Sequence, residues 1–293
     1  MSVAQAGDPA DPGNELVDFW NEVLAPKFIR FKHILVDGLT RHSEAVFPSL
    51  PVKPGERVLD VGCGFGDTAI QLARRVGPQG AVSGIDCCRA FLEFGRKDAA
   101  AAGLSNVTFM EGDAQSHAFE PVHDFVFSRF GTMFFENPVA GLRNMRAALK
   151  PGGLMTMIVW RSLDDNPWVG LPRQVVLKYL PQPGTDARDC GPGPFSMADQ
   201  ETVAAMLKSA GYVDPAFKRV DAPVLVGATA KDSIDFQLAL GPAGEVFREA
   251  GELAEQRRVE IEAALSEAIS AYETDKGIAM ASSSWVITAA NPG

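Results

Sequence analysis

The chain has few cysteines, few histidines and a deficit of basic residues, and it lacks a long apolar run. Four cysteines and four histidines among 293 residues do not make a disulfide framework, and no Ser-His-Asp arrangement or zinc-type Cys/His spacing occurs. The formal net charge of −10 argues against a general nucleic-acid binder, whose binding surface would be basic. Because no run of 18 apolar residues occurs, we expect no membrane span. These absences are typical of a protein of the reducing cytoplasm with no nucleic-acid partner and no metal.

What the chain does have is an alternation of strand-like and helix-like segments. Its hydrophobic content of 46% supports a sizeable core. Strands are predicted at 58–61, 82–85, 106–110, 125–127, 154–160, 217–220 and 285–289. Helical patterns lie between most of them, and 15–39 is helical with an expected break at Pro26, followed by a third helix at 41–47. The alternation predicts an α/β fold with a mostly parallel sheet, helices on both faces and a ligand at the carboxyl ends of the strands.

The first predicted strand runs directly into a glycine-rich loop. Gly62, Gly64 and Gly66 occupy alternate positions, and a helix pattern follows at once. Asp67 or Thr68 is expected to cap that helix, and 68–71 has the spacing of a capping box. A nicotinamide-dependent oxidoreductase would have a third glycine at Asp67, so that class is the disfavoured alternative.

Acidic residues follow the next strands. Asp86 ends the second strand, 20 residues after Gly66. At this position a carboxylate can accept hydrogen bonds from both hydroxyls of a ribose. Asp113-Ala114 follows the third strand, Ser128-Arg129 follows the fourth, and a turn at 149–154 precedes the fifth. We therefore expect one pocket at this end of the sheet.

In this order and spacing, these motifs resemble those of the class I S-adenosylmethionine (SAM) methyltransferases. The resemblance implies a doubly wound, Rossmann-like sheet of seven mostly parallel strands with added helical lid segments. It also implies SAM as cofactor. The residues expected to bind SAM are Trp20, Phe28, Asp60, Gly62, Cys63, Gly64, Gly66, Thr68, Asp86, Cys87, Asp113, Ala114, Ser128 and Arg129.

The resemblance extends to a bacterial group of small-molecule methyltransferases related to those of quinone biosynthesis. It is carried by Trp20-Asn21, 128–135, 159–161, 166–168, 193–195 and 285–289. It implies in-line transfer of a methyl group to oxygen, nitrogen, carbon or sulfur of a small-molecule acceptor; a homo-oligomer is left open. Composition and pattern along the chain predict these segments: a disordered leader at 1–13, an N-terminal helical lid at 14–50, a SAM-binding core at 51–160, a lid insertion at 161–197, a core continuation at 198–227, a helical lid excursion at 228–280 and a last core strand and tail at 281–293.

Several residues admit a structural and a functional interpretation. His117 and Arg129 are the candidates for a catalytic role, while His33, His42 and His123 are expected to be structural or surface residues. Phe134 and Phe135 are expected in the core rather than in an acceptor wall. The Cys87-Cys88 pair allows a soft-metal or arsenic acceptor, but packing beside the cofactor explains it more simply. A protein or RNA methyltransferase is a further alternative, disfavoured by the long covering segments. A non-catalytic SAM-binding or interaction protein that has kept the pocket is another alternative.

Overall fold

The computed structural model describes residues 15–184 and 192–292, so the predicted leader and Cys190 lie outside the described residues. One sheet runs through the molecule in the order β3-β2-β1-β4-β5-β8-β6, with β7 paired to β8. Its strands are β1 Arg57–Val61, β2 Ala81–Asp86, β3 Val107–Glu111, β4 His123–Arg129, β5 Leu149–Trp160, β6 Val213–Gly227, β7 Glu273–Thr274 and β8 Gly277–Ala290. The pairs among β1 to β5 are parallel, and β8 is antiparallel to both β5 and β6. The predicted doubly wound, mostly parallel fold is confirmed, with one short strand, β7, added to the expected seven.

The helices occupy both faces and the carboxyl end of the sheet. They are α1 Glu15–Phe19, α2 Ala25–Arg30, α3 Lys32–Val46, α4 Asp67–Val76, α5 Arg89–Ala101, α6 Pro138–Ala147, α7 Pro167–Val176, α8 Gln200–Ala210, α9 Ala230–Ala239, α10 Gly241–Ala250 and α11 Glu252–Ile269. A π-helical turn, Trp20–Leu24, joins α1 to α2. Among the helices of the described ranges, none combines the length and the apolar character that crossing a bilayer requires.

The N-terminal helices follow the prediction in part. The boundary expected at Pro26 is present, because α2 begins at Ala25 and Pro26 lies in its first turn, where the helix does not need an N–H donor. A second boundary falls at Phe31, whose φ and ψ of −104° and 22° are not helical. The expected separate helix at 41–47 is wrong, since α3 runs without interruption to Val46.

The ends of two other helices follow their sequence signals. The side chain of Asn137 accepts a hydrogen bond from the N–H of Ala140, and Pro138 is the first residue of α6. Gly211 ends α8 in the left-handed region, with φ of 91°, as a C-terminal glycine commonly does. At both of these helix ends the local sequence rule agrees with the structure.

Candidate active site

The glycine-rich loop turns in the left-handed region at each of its glycines. Gly62, Gly64 and Gly66 have φ of 65°, 52° and 81°. A Cβ on Gly62 would lie 3.0 Å from Cα of Gly131, and one on Gly66 would lie 2.7 Å from the ring of Phe109. A Cβ on Gly64 would meet nothing within 4 Å. Two of these glycines therefore permit close packing, whereas Gly64 leaves open space above the loop.

Asp86 holds this loop in place. Its Oδ2 accepts a hydrogen bond from the N–H of Gly64 at 2.8 Å, and its Oδ1 accepts one from the N–H of Cys88 at 2.9 Å. Burial raises the pKa of Asp86, and the two main-chain donors oppose that rise. The carboxylate thus connects the glycine loop that follows β1 to the segment that follows β2.

Asp60 lies beneath the loop and is completely buried. Its Oδ2 accepts a 2.6 Å hydrogen bond from the hydroxyl of Thr68, while its Oδ1 has no hydrogen-bond partner among the described residues. Burial raises the pKa of Asp60 to about 7. The expected cap and capping box at the start of α4 are wrong, because Thr68 uses its hydroxyl for Asp60 and no side chain caps the helix.

Two adjoining chambers open at this end of the sheet. The smaller has a volume of about 110 Å³. Its wall includes Gly62, Asp86, Cys87, Asp113 and Ala114. The larger, of about 260 Å³, lies over Cys63, Gly64, Asp67 and Arg129. The two chambers share wall residues, namely Trp20, Asp86, Phe91, Phe130 and Phe134.

Comparison with known proteins identifies the core. Residues 58–153 match the family described as "Methyltransferase domain". The chain is 37% identical over 114 residues to the demethylmenaquinone methyltransferase of Staphylococcus aureus. Residues 58–153 of this chain therefore form a methyltransferase-type domain. The aligned part covers 39% of this chain, and the chain spans just under half, 46%, of the curated relatives it matches.

Solved structures share the fold of this methyltransferase domain at low sequence identity. The YcgJ protein of Bacillus subtilis has a TM-score of 0.55 at 16% identity, covering 86% of this chain and 99% of that one. Phosphoethanolamine N-methyltransferase 2 of Haemonchus contortus, in complex with SAM, also has a TM-score of 0.55, at 18% identity, covering 96% of this chain and 61% of that one. At these identities the likeness concerns the fold alone.

The methyltransferase domain carries a polar set that fits the predicted cofactor. The open side of Gly64 leaves room for a ligand on the main chain. Asp113 and Gln115 border the smaller chamber and add polar side chains to its wall. Asp86 borders both chambers, as a group recognising the middle of an elongated ligand must.

Not every predicted cofactor residue reaches a chamber. Asp60, Gly66, Thr68 and Ser128 are absent from both walls, so any influence they have on a ligand passes through the loop. Trp20 borders both chambers, and its ring meets Phe28 and Phe134 edge-on at centroid distances of 5.4 and 5.0 Å. Phe28 borders the larger one.

Arg129 joins three elements at the floor of the larger chamber. Its Nη2 lies 2.9 Å from Oδ1 and 2.8 Å from Oδ2 of Asp67, and its Nη1 donates to the hydroxyl of Ser43 at 2.9 Å. The Arg129 side chain is only 9% exposed, so the pair is largely shielded from water. It connects the end of β4 to the start of α4 and to α3.

No histidine is among the described wall residues of the two chambers. His117 packs against Phe119 and borders neither chamber. His42 is fully buried and bonds through its two ring nitrogens to the hydroxyls of Ser284 at 2.8 Å and Ser282 at 2.7 Å. Burial and the charge of Arg129 lower the pKa of His42 to about 4. Its role is to attach α3 to β8.

The neighbouring thiols are unpaired. Cys63, Cys87 and Cys88 are free cysteines, and burial raises the pKa of the Cys63 thiol. A ligand atom from each of Asp86, Cys87 and Cys88 lies within 4.8 Å of the others. Cys88 is fully buried, and Asp86 is already bonded to the main chain of the loop.

Sequence reasoning missed most of the aromatic wall. Phe130 has φ of 57°, which is rare for a residue other than glycine. Its ring stacks on that of Trp160, with 3.9 Å between the ring centroids. Phe134 borders both chambers rather than lying in the core, whereas Phe135 is buried and borders only the smaller one. A phenylalanine-rich run after β4 was the available signal, but a run of this kind is equally typical of a core.

Proposed function

We propose that this chain is a SAM-dependent methyltransferase whose acceptor is a small, mostly apolar molecule. The observation that carries the proposal is the pair of chambers joined at Asp86. The smaller chamber is bordered by Asp86, Asp113 and Gln115, which can recognise an adenosine, and the other chamber is larger and mainly apolar. The neighbour of the same fold from Haemonchus contortus binds SAM, which supports the cofactor.

Each part of the domain has a role under this proposal. Asp86 accepts hydrogen bonds from the ribose hydroxyls, and Asp113-Ala114 borders the adenine in the smaller chamber. The Gly64 loop lies under the methionine portion, at the entrance to the larger chamber. Bound in this way, SAM supplies an electrophilic methyl group that an acceptor attacks in line, so the rate depends chiefly on positioning in a site from which water is excluded.

The larger chamber supports a small acceptor over a protein or RNA. Its wall is mainly aromatic and aliphatic and comes from segments outside the strand ends: α1–α2, α7, the 194–195 segment and α9–α10. A macromolecular acceptor would need an open groove, whereas concave apolar sites suit small ligands. The name of the Staphylococcus aureus relatives, demethylmenaquinone methyltransferase, fits a ring-bearing apolar acceptor. Free thiols beside the site suit a reducing cytoplasm.

Calorimetry with S-adenosylhomocysteine, the demethylated product of SAM, tests the cofactor assignment. We expect Asp86→Ala to lose about 3 kcal/mol of binding free energy, because two hydrogen bonds to a charged group are removed, which is about 150-fold in Kd. Asp275→Ala, in an exposed turn, is the matched control and should bind as the wild type does. Unchanged affinity in Asp86→Ala would refute the ribose assignment. A mass-spectrometric screen of ring-bearing acceptors for the gain of one methyl group then tests the reaction.

A further inference from the structure

Two adjacent thiols and a carboxylate meet beside the smaller chamber. A ligand atom from each of Asp86, Cys87 and Cys88 lies within 4.8 Å of the other two. Within residues 15–184 and 192–292, no other three histidine, cysteine or acidic side chains bring their ligand atoms this close together. Both cysteines are free. The methyl transfer proposed above makes no chemical use of either thiol.

Asp86 has no positively charged partner. Its carboxylate accepts hydrogen bonds from the main-chain N–H groups of Gly64 and Cys88, and within the described ranges it forms no ion pair. A partly buried carboxylate without a cation favours the binding of one. Each of its oxygens uses one lone pair for a main-chain donor and keeps a second lone pair for a metal ion.

Two thiolates and one carboxylate are a ligand set that suits zinc. Thiolate sulfur binds Zn²⁺ well, whereas Mg²⁺ and Ca²⁺ prefer oxygen ligands. Zn–S bonds of about 2.3 Å in a tetrahedral site place two sulfur ligands about 3.8 Å apart. The ligand atoms of this cluster are at most 4.8 Å apart, and the half-buried Cys87 side chain has room to rotate towards the other two. A small side-chain movement therefore completes the site.

An ion can reach the cluster through the smaller chamber. Asp86 and Cys87 both border this chamber. Cys88 is fully buried in a cluster with Phe65 and Phe91, so it serves as the inner ligand. Zinc sites with three protein ligands keep a fourth position open, which a water molecule fills.

We propose that Asp86, Cys87 and Cys88 bind one zinc ion, and that this ion and the cofactor exclude each other. On binding, both S–H bonds break, two Zn–S bonds form and the two protons pass to the buffer, without oxidation or reduction. The ion occupies the carboxylate that is assigned to the ribose, so zinc inhibits the enzyme and takes no part in methyl transfer. The exclusion rests on the proposed function, whereas the zinc site itself does not.

The first test titrates zinc chloride into the reduced protein at neutral pH without cofactor, by calorimetry in two non-coordinating buffers of different ionisation enthalpy. We expect one ion per chain and the release of about two protons, because a free thiol with a pKa of about 8.5 is mostly protonated at this pH. Cys87→Ser should weaken zinc binding by more than about tenfold, since even the loss of a group that only orients a ligand costs that much. Cys190→Ser is the matched control, because it removes a cysteine from another part of the chain and leaves the pair intact.

The second test repeats the zinc titration with S-adenosylhomocysteine at saturation. Zinc affinity should fall by more than about tenfold, and zinc should weaken the binding of S-adenosylhomocysteine by the same factor. Urea unfolding of Cys87→Ser shows whether this variant is folded, and the proton count of the wild type tests the site without any variant.

Four outcomes overturn the proposal. No zinc binding, zinc binding without proton release, and loss of binding in Cys190→Ser instead of in Cys87→Ser each contradict the zinc site. Equal zinc affinity with and without S-adenosylhomocysteine contradicts the exclusion. A wild type that binds zinc as expected but does not bind S-adenosylhomocysteine would refute the proposed function and leave the zinc site standing.

Discussion

Replacing Gly64 by alanine separates the conformational and the ligand-binding consequences of the glycine loop. Gly64 has φ of 52°, and a Cβ there meets no protein atom within 4 Å. The only folding cost is therefore the left-handed backbone, about 1–2 kcal/mol for a residue with a Cβ. The added methyl group would project into the space assigned to the methionine portion of SAM. We expect a loss of affinity for S-adenosylhomocysteine of more than about tenfold.

Gly103→Ala is the matched control for this experiment. Gly103 has φ of 67°, and a Cβ there also meets nothing within 4 Å, but it follows α5 outside the site. Both variants should lose similar stability in urea unfolding, whereas only Gly64→Ala should lose affinity in calorimetry. Wild-type affinity in Gly64→Ala would refute the placement of the cofactor over this loop. A greater loss of stability in Gly64→Ala than in Gly103→Ala would show that the space above Gly64 is filled by protein.

Three further outcomes follow from the packing around the site. Gly66→Ala should destabilise the fold by clearly more than Gly64→Ala, since its Cβ would lie 2.7 Å from the Phe109 ring and cannot be accommodated without backbone movement; urea unfolding measures the difference. Arg129→Met should lower the free energy of unfolding by about 2–3 kcal/mol, because it leaves the carboxylate of Asp67 without its cation. Adding Asp67→Asn should restore part of that free energy in a double-mutant cycle. Burial lowers the pKa of His42 to about 4, below its ordinary 6.5, so the folded state binds fewer protons than the unfolded state. The stability that this contributes is present above pH 6.5 and falls as the pH drops towards 4. Between pH 7 and pH 5 the free energy of unfolding, measured in urea, should therefore fall by about 2 kcal/mol more in the wild type than in His42→Asn, and an equal fall in both would contradict this role of His42.

The order of elements could be predicted because most local signals in the core agree with the tertiary structure. Asn137, for example, caps α6 by accepting a hydrogen bond from the N–H of Ala140. Asp86 follows its own strand directly, although the Gly64 N–H that it accepts from is 22 residues away in the chain. Thr68 shows the limit of that reasoning. Its spacing is that of a capping box, yet a buried carboxylate eight residues earlier competes for the same hydroxyl and wins.

The acceptor side could not be predicted, because its walls come from helices distant in sequence. Lys27 and Arg248 are 221 positions apart, by their numbers in the chain, and border the same larger chamber only after α2 and α10 pack over the strand ends. Phe134 likewise became a chamber residue through contact with Trp20. The sequence pattern within one segment does not predict which distant segment it will contact.

The position of β8 has a consequence for how the chain matures. Residues 277–290 form β8, which lies between β5 and β6. The hydroxyls of Ser282 and Ser284 on β8 form hydrogen bonds with the ring nitrogens of His42 on α3. Until residues 277–290 have been synthesised, the edges of β5 and β6 that pair with β8 are unpaired, and His42 on α3 lacks its two hydroxyl partners. Closure of the sheet must therefore wait until translation has passed residue 290, and a nascent chain stalled before 277 would present two open edges to chaperones or to other copies.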